Sequence, residues 1–177
     1  MAHAAVYTWQ GHDLCFEVPD GGFLAYSSNS RLEMQWEDMV ITMVLYTKDD
    51  ATDKVIRENL QRKALGYNMY DLQMGKMKVK GFKAFDIEGT MPDGSRAIIA
   101  DLVSKKRNLV VEVTVNYLYG NREVVEDVIK SVTEGSKQPN KQKHRQRVQS
   151  KEDAKRQKEQ PKQEPKPKVD DGPLYDC

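Results

Sequence analysis

Apolar and polar residues alternate from Asp13 to Val18, with Leu14, Phe16 and Val18 on one side, and Pro19-Asp20-Gly21-Gly22 closes the run with turn chemistry. That pattern predicts a first strand and a turn. Leu32, Met34 and Trp36 alternate with Glu33 and Gln35, and Met39 to Tyr46 is apolar at nearly every position, as a central strand covered on both sides would be. The sheet is therefore expected to be buried, at least in part, on both faces. Lys48-Asp49-Asp50 offers acidic capping for a helix over 51–65, whose Val55, Ile56, Leu60 and Ala64 form one stripe and which Gly66 stops.

Four strand patterns follow, over 74–79, 83–88, 96–104 and 109–117, punctuated by Gly81, by Pro92-Asp93-Gly94 and by the polar run 105–108. They read as a meander. A last helix is predicted from Asn121, as N-cap, to about Val132, with Val124, Val125, Val128, Ile129 and Val132 on one face. The order implies an α+β fold: an antiparallel β-sheet of about six to seven strands with two helices packed on it, filling residues 7–135.

Composition changes the picture beyond that point. The 177 residues carry a formal charge of +1, but residues 1–135 hold 16 basic against 20 acidic side chains and residues 136–177 hold 12 against 7. The second stretch also contains five of the seven prolines, seven glutamines and six apolar residues, too few to offset the entropy of ordering it. A disordered basic Lys/Gln/Pro-rich C-terminal tail over 136–177 is the expectation. Its basic segment, Lys137, Lys141, Lys143, Arg145, Arg147 and Lys151, includes no acidic residue and suits an anionic surface such as a lipid headgroup layer. Glutamine and lysine without interleaved aromatic residues argue against nucleic acid as the partner.

No run approaches the roughly 18 apolar residues that a spanning helix needs. Two cysteines exclude a disulfide framework and a four-cysteine zinc site; Cys15 reads as a small buried residue and Cys177 as a free thiol. The opening lacks a basic and apolar signal region, which reads as cytoplasmic, whereas Ala2-His3-Ala4 is of the A-x-A type found before signal cleavage, which reads as exported or periplasmic. Both compartments stay open.

The order of elements, Phe16-Glu17-Val18-Pro19 leading into a glycine turn, and the strand Val110-Val111-Glu112-Val113-Thr114-Val115 ahead of the helical Glu123-Val124-Val125-Glu126-Asp127-Val128-Ile129-Lys130-Ser131 resemble the PsbP-like superfamily, which includes the DcrB-type bacterial envelope lipoproteins. The resemblance spans about residues 12–133. It implies a PsbP-like α/β sandwich and a binding or assembly role rather than an enzymatic one, carries no site residue and implies no cofactor. The basic tail is foreign to that pattern.

One constellation of side chains calls for chemistry. If the hairpins turn at Asp93-Gly94 and at Lys106-Arg107, Asp86 faces Asp101 and Asp101 faces Glu112, while Phe85, Ile87, Ala100, Leu102, Val111 and Val113 gather on the other face. Opposed side chains have Cβ atoms about 5 Å apart, where like charges repel. Asp86, Asp101 and Glu112 would then form a divalent-cation site or an acid–base pair. The alternative is neutralisation by Lys76, which a turn at 80–82 would set opposite Asp86.

Other candidates are weaker. His3, His12 and His144 lack ligand-like spacing, and no phosphate-binding glycine motif is present. Most tyrosines and tryptophans, among them Tyr26 and Tyr67, are assigned to packing, while Tyr70, Tyr117 and Tyr119 sit in loops suited to a small ligand or partner. The leading expectation is a non-enzymatic module that binds a protein or small ligand and touches anionic surfaces with its tail. The alternative is a cation-dependent protein or enzyme built on Asp86, Asp101 and Glu112.

Overall fold

A computed structural model describes residues 4–49, 52–118 and 120–135. The described residues form β1 (Ala4–Trp9), β2 (Leu14–Pro19), β3 (Phe23–Ser27), β4 (Arg31–Gln35), β5 (Met39–Tyr46), α1 (Asp53–Gly66), β6 (Tyr70–Gly75), β7 (Phe82–Thr90), β8 (Arg96–Ser104), β9 (Val110–Tyr117), α2 (Arg122–Ser131) and β10 (Thr133–Glu134). Strands β3-β4-β5-β9-β8-β7-β6 make one antiparallel sheet, and β1-β2-β10 a second, smaller one. The α+β class, the meander β6 to β9 and the two packed helices are as the patterns predict. The second sheet is not: β2, read as part of the main sheet, pairs instead with β1 and β10. Four of its six residues are buried, and Leu14, Phe16 and Val18 join one core with residues of the main sheet and of α2.

Each face of the main sheet has its own apolar core. On one face Leu32, Ile41, Met43, Leu102, Val111 and Val113 meet Trp9, Leu14 and Phe16 of the small sheet and Val125, Val128 and Ile129 of α2. On the other, Phe85, Ile87 and Ile99 meet Ile56, Leu60 and Ala64 of α1. Truncating a side chain such as Leu60, which has no exposed surface, costs about 2–5 kcal/mol in such a setting. Val55 and Val124, expected on the buried stripes, sit at their margins: Val55 is half-buried and Val124 exposed.

Several boundaries differ from the sequence reading for local reasons. Thr52, not the acidic run before it, caps α1, its Oγ1 accepting the Val55 N–H at 3.3 Å. Gly66 lies inside the helix, and the chain turns at Tyr67 and at Asn68, whose φ is 56°. Strand β6 starts earlier than the predicted 74–79 and ends at Gly75. Beyond it Met77 and Val79 still pack on the core, so 76–80 alternates like a strand without belonging to a ladder. Asn121 does precede α2, but its side chain donates to Asp38 at 2.5 Å rather than capping the helix.

The decisive difference is in the first hairpin. Pro92-Asp93-Gly94 forms a three-residue loop in which Gly94 adopts φ 85°, the Met91 N–H reaches the Ser95 carbonyl at 2.8 Å, and Asp93 Oδ1 accepts from the Ser95 N–H at 2.9 Å. An odd loop moves the register by one residue. Phe85 therefore faces Asp101, and Asp86 faces Ala100. The second hairpin keeps the predicted pairing, Asp101 with Glu112 and Leu102 with Val111.

Candidate functional site

An α-helix is about 10 Å across and strands repeat every ~4.8 Å, so one helix covers about two strands. Helix α1 lies on β6, β7 and β8, and among the described residues no helix lies above the same face of β4, β5 and β9. A groove of about 560 Å³ occupies this bare region, lined by Val40, Thr42 and Val44 of β5, Thr114 and Asn116 of β9, Arg31 and Glu33 of β4, and Tyr46, Tyr67 and Met69 beside them. The register carries Phe23 and Tyr26 of β3 onto the same face, through Gln35 to Val40 and through Glu33 to Thr42. Phe23 is 59% exposed, Tyr26 52%, Tyr46 44% and Tyr67 50%. Tyr26 and Tyr67 thus depart from the packing role expected of them. Asn116 Oδ1, also in the groove, accepts no hydrogen bond among the described residues.

Where the groove meets α1, a charged cluster closes the helix onto the sheet. Asp101 and Glu112 are directly opposed and both buried. Lys63, one turn before the end of α1, places its ammonium in contact with Glu112 Oε2 and 3.6 Å from Asp101 Oδ1, and 5.1 Å from the Tyr46 ring. Burial pushes the Asp101 carboxyl up, and the Lys63 charge pulls it back. Burial likewise draws the Lys63 ammonium down against the pull of Asp101. Lys63, from the helix, thus supplies one positive charge to the two carboxylates, in place of the Lys76 that the neutralisation alternative named. Lys76 is not in the ladder; its ammonium lies 5.4 Å from the Phe85 ring.

The row of three carboxylates is broken. Because of the shifted register Asp86 points to the opposite face from Asp101 and Glu112. There burial raises its carboxyl, the carboxylates of Glu126 and Glu88 raise it further, and Arg122 opposes them. Among the described residues no group of three or more His, Cys, Asp or Glu side chains is arranged to hold a metal ion. The row of three loses Asp86, whereas the opposed pair of Asp101 and Glu112 remains.

The loop tyrosines separate as well. Tyr70 opens β6 and is half exposed. Tyr117 is buried, not in a loop: it ends β9 and donates to Glu88 Oε1 at 2.8 Å, while Arg96 reaches the same oxygen at 2.8 Å and Arg122 Nε reaches Oε2 at 3.0 Å. Burial and this bond push the Tyr117 hydroxyl up to about 12. Burial alone would raise Glu88, but the hydrogen bonds from Arg96, Tyr117 and Arg122 outweigh it and hold the carboxyl low. This is a structural network. Tyr119, His3, His144, Cys177 and the basic positions Lys137, Lys141, Lys143, Arg145, Arg147 and Lys151 lie outside the described residues. Cys15 is buried as expected, with Sγ 3.4 Å from Thr8 Oγ1. His12 stacks edge-on against Trp9 at 5.0 Å.

Sequence reasoning missed the groove. Its one available signal was the threonine in the otherwise apolar run of β5, which with Thr114 marks a half-exposed face. No protein-family model and no curated protein sequence matches the chain. Among solved structures the chain is similar to the Ran-binding protein Mog1p of Saccharomyces cerevisiae, at 9% identity and a TM-score of 0.52 over 75% of this chain and 96% of that one. A variant of Mog1 matches at 10% identity and 0.52 over 76% and 97%. Cyanobacterial PsbP from Synechocystis matches at 12% identity and 0.49 over 76% and 94%. At these identities the likeness is one of fold: the domain shares the fold of Mog1.

Proposed function

We propose that the protein is a non-enzymatic binding module that takes a protein partner on the bare face of its main sheet. The observation that carries this reading is the groove over β4, β5 and β9 with Phe23, Tyr26, Tyr46 and Tyr67 exposed around it. Tyrosine, methionine and arginine are the residue types enriched at interface cores, where rigid rings bury area at small entropic cost. Mog1p, of the same fold, is described as Ran-binding, which supports a protein rather than a small molecule as occupant. The basic tail, in this reading, adds a salt-sensitive contact to anionic surfaces.

Site-specific photo-crosslinking tests the reading. A benzophenone amino acid at Thr42, in the groove, and another at Glu58, on the outer face of α1, are installed in the full chain and irradiated in cells of its source. A discrete adduct from position 42 that is absent from position 58, and that Tyr26→Ser with Tyr67→Ser removes, is the expected result. Equal labelling from both positions, or none from position 42, would falsify it. The alternative cation reading predicts a rise in melting temperature on adding Ca²⁺, Mg²⁺, Mn²⁺ or Zn²⁺ that Asp101→Asn removes.

A further inference from the structure

Strand β6 is the outer strand of the main sheet at the end opposite β3. Its ladder with β7 stops at Gly75, which faces Asp86, and the chain runs on outside any ladder through Lys76-Met77-Lys78-Val79-Lys80 to the turn at Gly81. The alternation outlasts the pairing. Val79 is buried and Met77 half-buried, both packed in the core that the main sheet shares with α2, while Lys76, Lys78 and Lys80 are exposed. Burial with a period of two is that of an extended chain, in which alternate residues stand about 6.8 Å apart. The three lysines therefore rise from one side of the segment at a regular spacing.

The backbone of this segment is as unengaged as its charges. Among the described residues none of the N–H groups of 76–80 donates a hydrogen bond, and of its carbonyls only that of Val79 accepts one, from the Phe82 N–H at 3.2 Å. Lys83, near the start of β7, and Lys105, in the β8–β9 turn, flank it. The Lys105 N–H donates to the Gly81 carbonyl at 3.1 Å, and a cleft of about 530 Å³ is lined by all five lysines. Of the five, only Lys83 has a carboxylate within ion-pair distance among the described residues, that of Asp53.

We propose that the edge 76–80 receives an extended acidic segment of a partner protein, which adds as a strand and sets carboxylates at alternate positions against Lys76, Lys78 and Lys80. Strand addition answers both halves of the unengaged backbone, since an incoming main chain donates as well as accepts. Opposed residues of paired strands have Cβ atoms about 5 Å apart, within the reach of a lysine ammonium and a glutamate carboxylate. A second copy of this chain is the wrong occupant, because lysine would meet lysine. Charges of this kind keep sheet edges from pairing with their own copies while admitting a strand of opposite sign. A layer of lipid phosphates accepts from the N–H groups but donates nothing to the carbonyls. None of the exposed residues of the edge is aromatic, so a single-stranded base finds no ring to stack on. The site uses none of the groove residues, and the inference does not rest on the groove.

Two fluorescent peptides of equal composition, measured by anisotropy on the full chain at moderate salt, test it. One alternates glutamate with threonine, and the other carries its glutamates in a single block. The alternating peptide should bind more tightly, because only as a strand does it place every carboxylate on one face. Lys76→Gln, Lys78→Gln and Lys80→Gln together should lower its affinity on the order of tenfold, as the loss of three exposed ion pairs does. The melting temperature should not change, because all three side chains are exposed. Hydrogen exchange should slow at the amides of 76–80 when the alternating peptide is bound, which attraction between charges alone does not produce. The Tyr26→Ser, Tyr67→Ser protein should bind this peptide as wild type does. Equal affinity for the two peptides, binding that survives the triple substitution, unchanged exchange at 76–80, or loss in the tyrosine variant would each overturn the proposal. So would binding to phosphatidylserine vesicles, or to a second copy of the chain, that the triple substitution abolishes while the alternating peptide stays unbound.

Discussion

At the scale of single residues the main tension is the pair Asp101 and Glu112, two buried carboxylates in direct opposition. Lys63 holds that pair together. Lys63→Met leaves two acids without a counter-charge, and a buried pair that loses one partner costs about 3–5 kcal/mol. The direction with pH follows from protons bound. Without Lys63 the folded state gains a reason to keep a proton on Asp101, whose carboxyl burial already raises, whereas the unfolded chain ionises near about 4. The folded state then binds more protons than the unfolded one, so the stability of the variant rises as pH falls from neutrality through the folded-state value. Urea denaturation at neutral and mildly acidic pH should show the deficit of Lys63→Met shrinking on acidification, and Lys63→Met with Asp101→Asn should recover part of it at neutrality. A deficit that is the same at both pH values would mean that the lysine acts through its apolar stem.

At the scale of elements, close backbone approach decides what the sequence can vary. Gly22 precedes β3 at a point where a Cβ would run into the indole of Trp36, and that indole donates from Nε1 to the Pro19 carbonyl at 3.1 Å, fastening the β2–β3 turn. Gly22→Ala should therefore cost roughly 1–3 kcal/mol through overpacking, read as a lower melting temperature, while Gly21→Ala strains only a positive φ in open space. Helices and the long meander strands were legible because burial imposes their period: Ile56, Leu60 and Ala64 on α1, Val125, Val128 and Ile129 on α2, and the pairing of β8 with β9. The carboxylate row was misread for an equally definite reason. Whether a Pro-Asp-Gly hairpin closes with two residues or three is decided by Asp93 bonding Ser95 and by Gly94 taking a positive φ, and this one-residue difference sends Asp86 to the other face. The groove stayed hidden because among the described residues no helix covers that face of β4, β5 and β9, and periodicity reports what is covered rather than what is left bare.

At the scale of the whole molecule, the sheet order predicts where the structure holds longest. Strands β8 and β9 are central, with partners on both sides, and β8 has an apolar core on each face, whereas β3 is an outer strand whose five residues are all exposed. Hydrogen exchange should find β8 and β9 protected to the level of global unfolding and β3 opening first; uniform exchange across the sheet would contradict this. No helix among the described residues is long and apolar enough to cross a membrane. The small sheet has a consequence for biosynthesis. Strand β2 is flanked by β1 on one side and by β10 on the other, and its Leu14, Phe16 and Val18 are covered in part by α2, which is among the last elements made. A chain emerging in order from the ribosome carries these apolar residues more than a hundred positions ahead of α2 and cannot shelter them until nearly the whole domain has been translated. The nascent protein thus presents a hydrophobic hairpin throughout its own synthesis, the kind of segment that holdase chaperones engage.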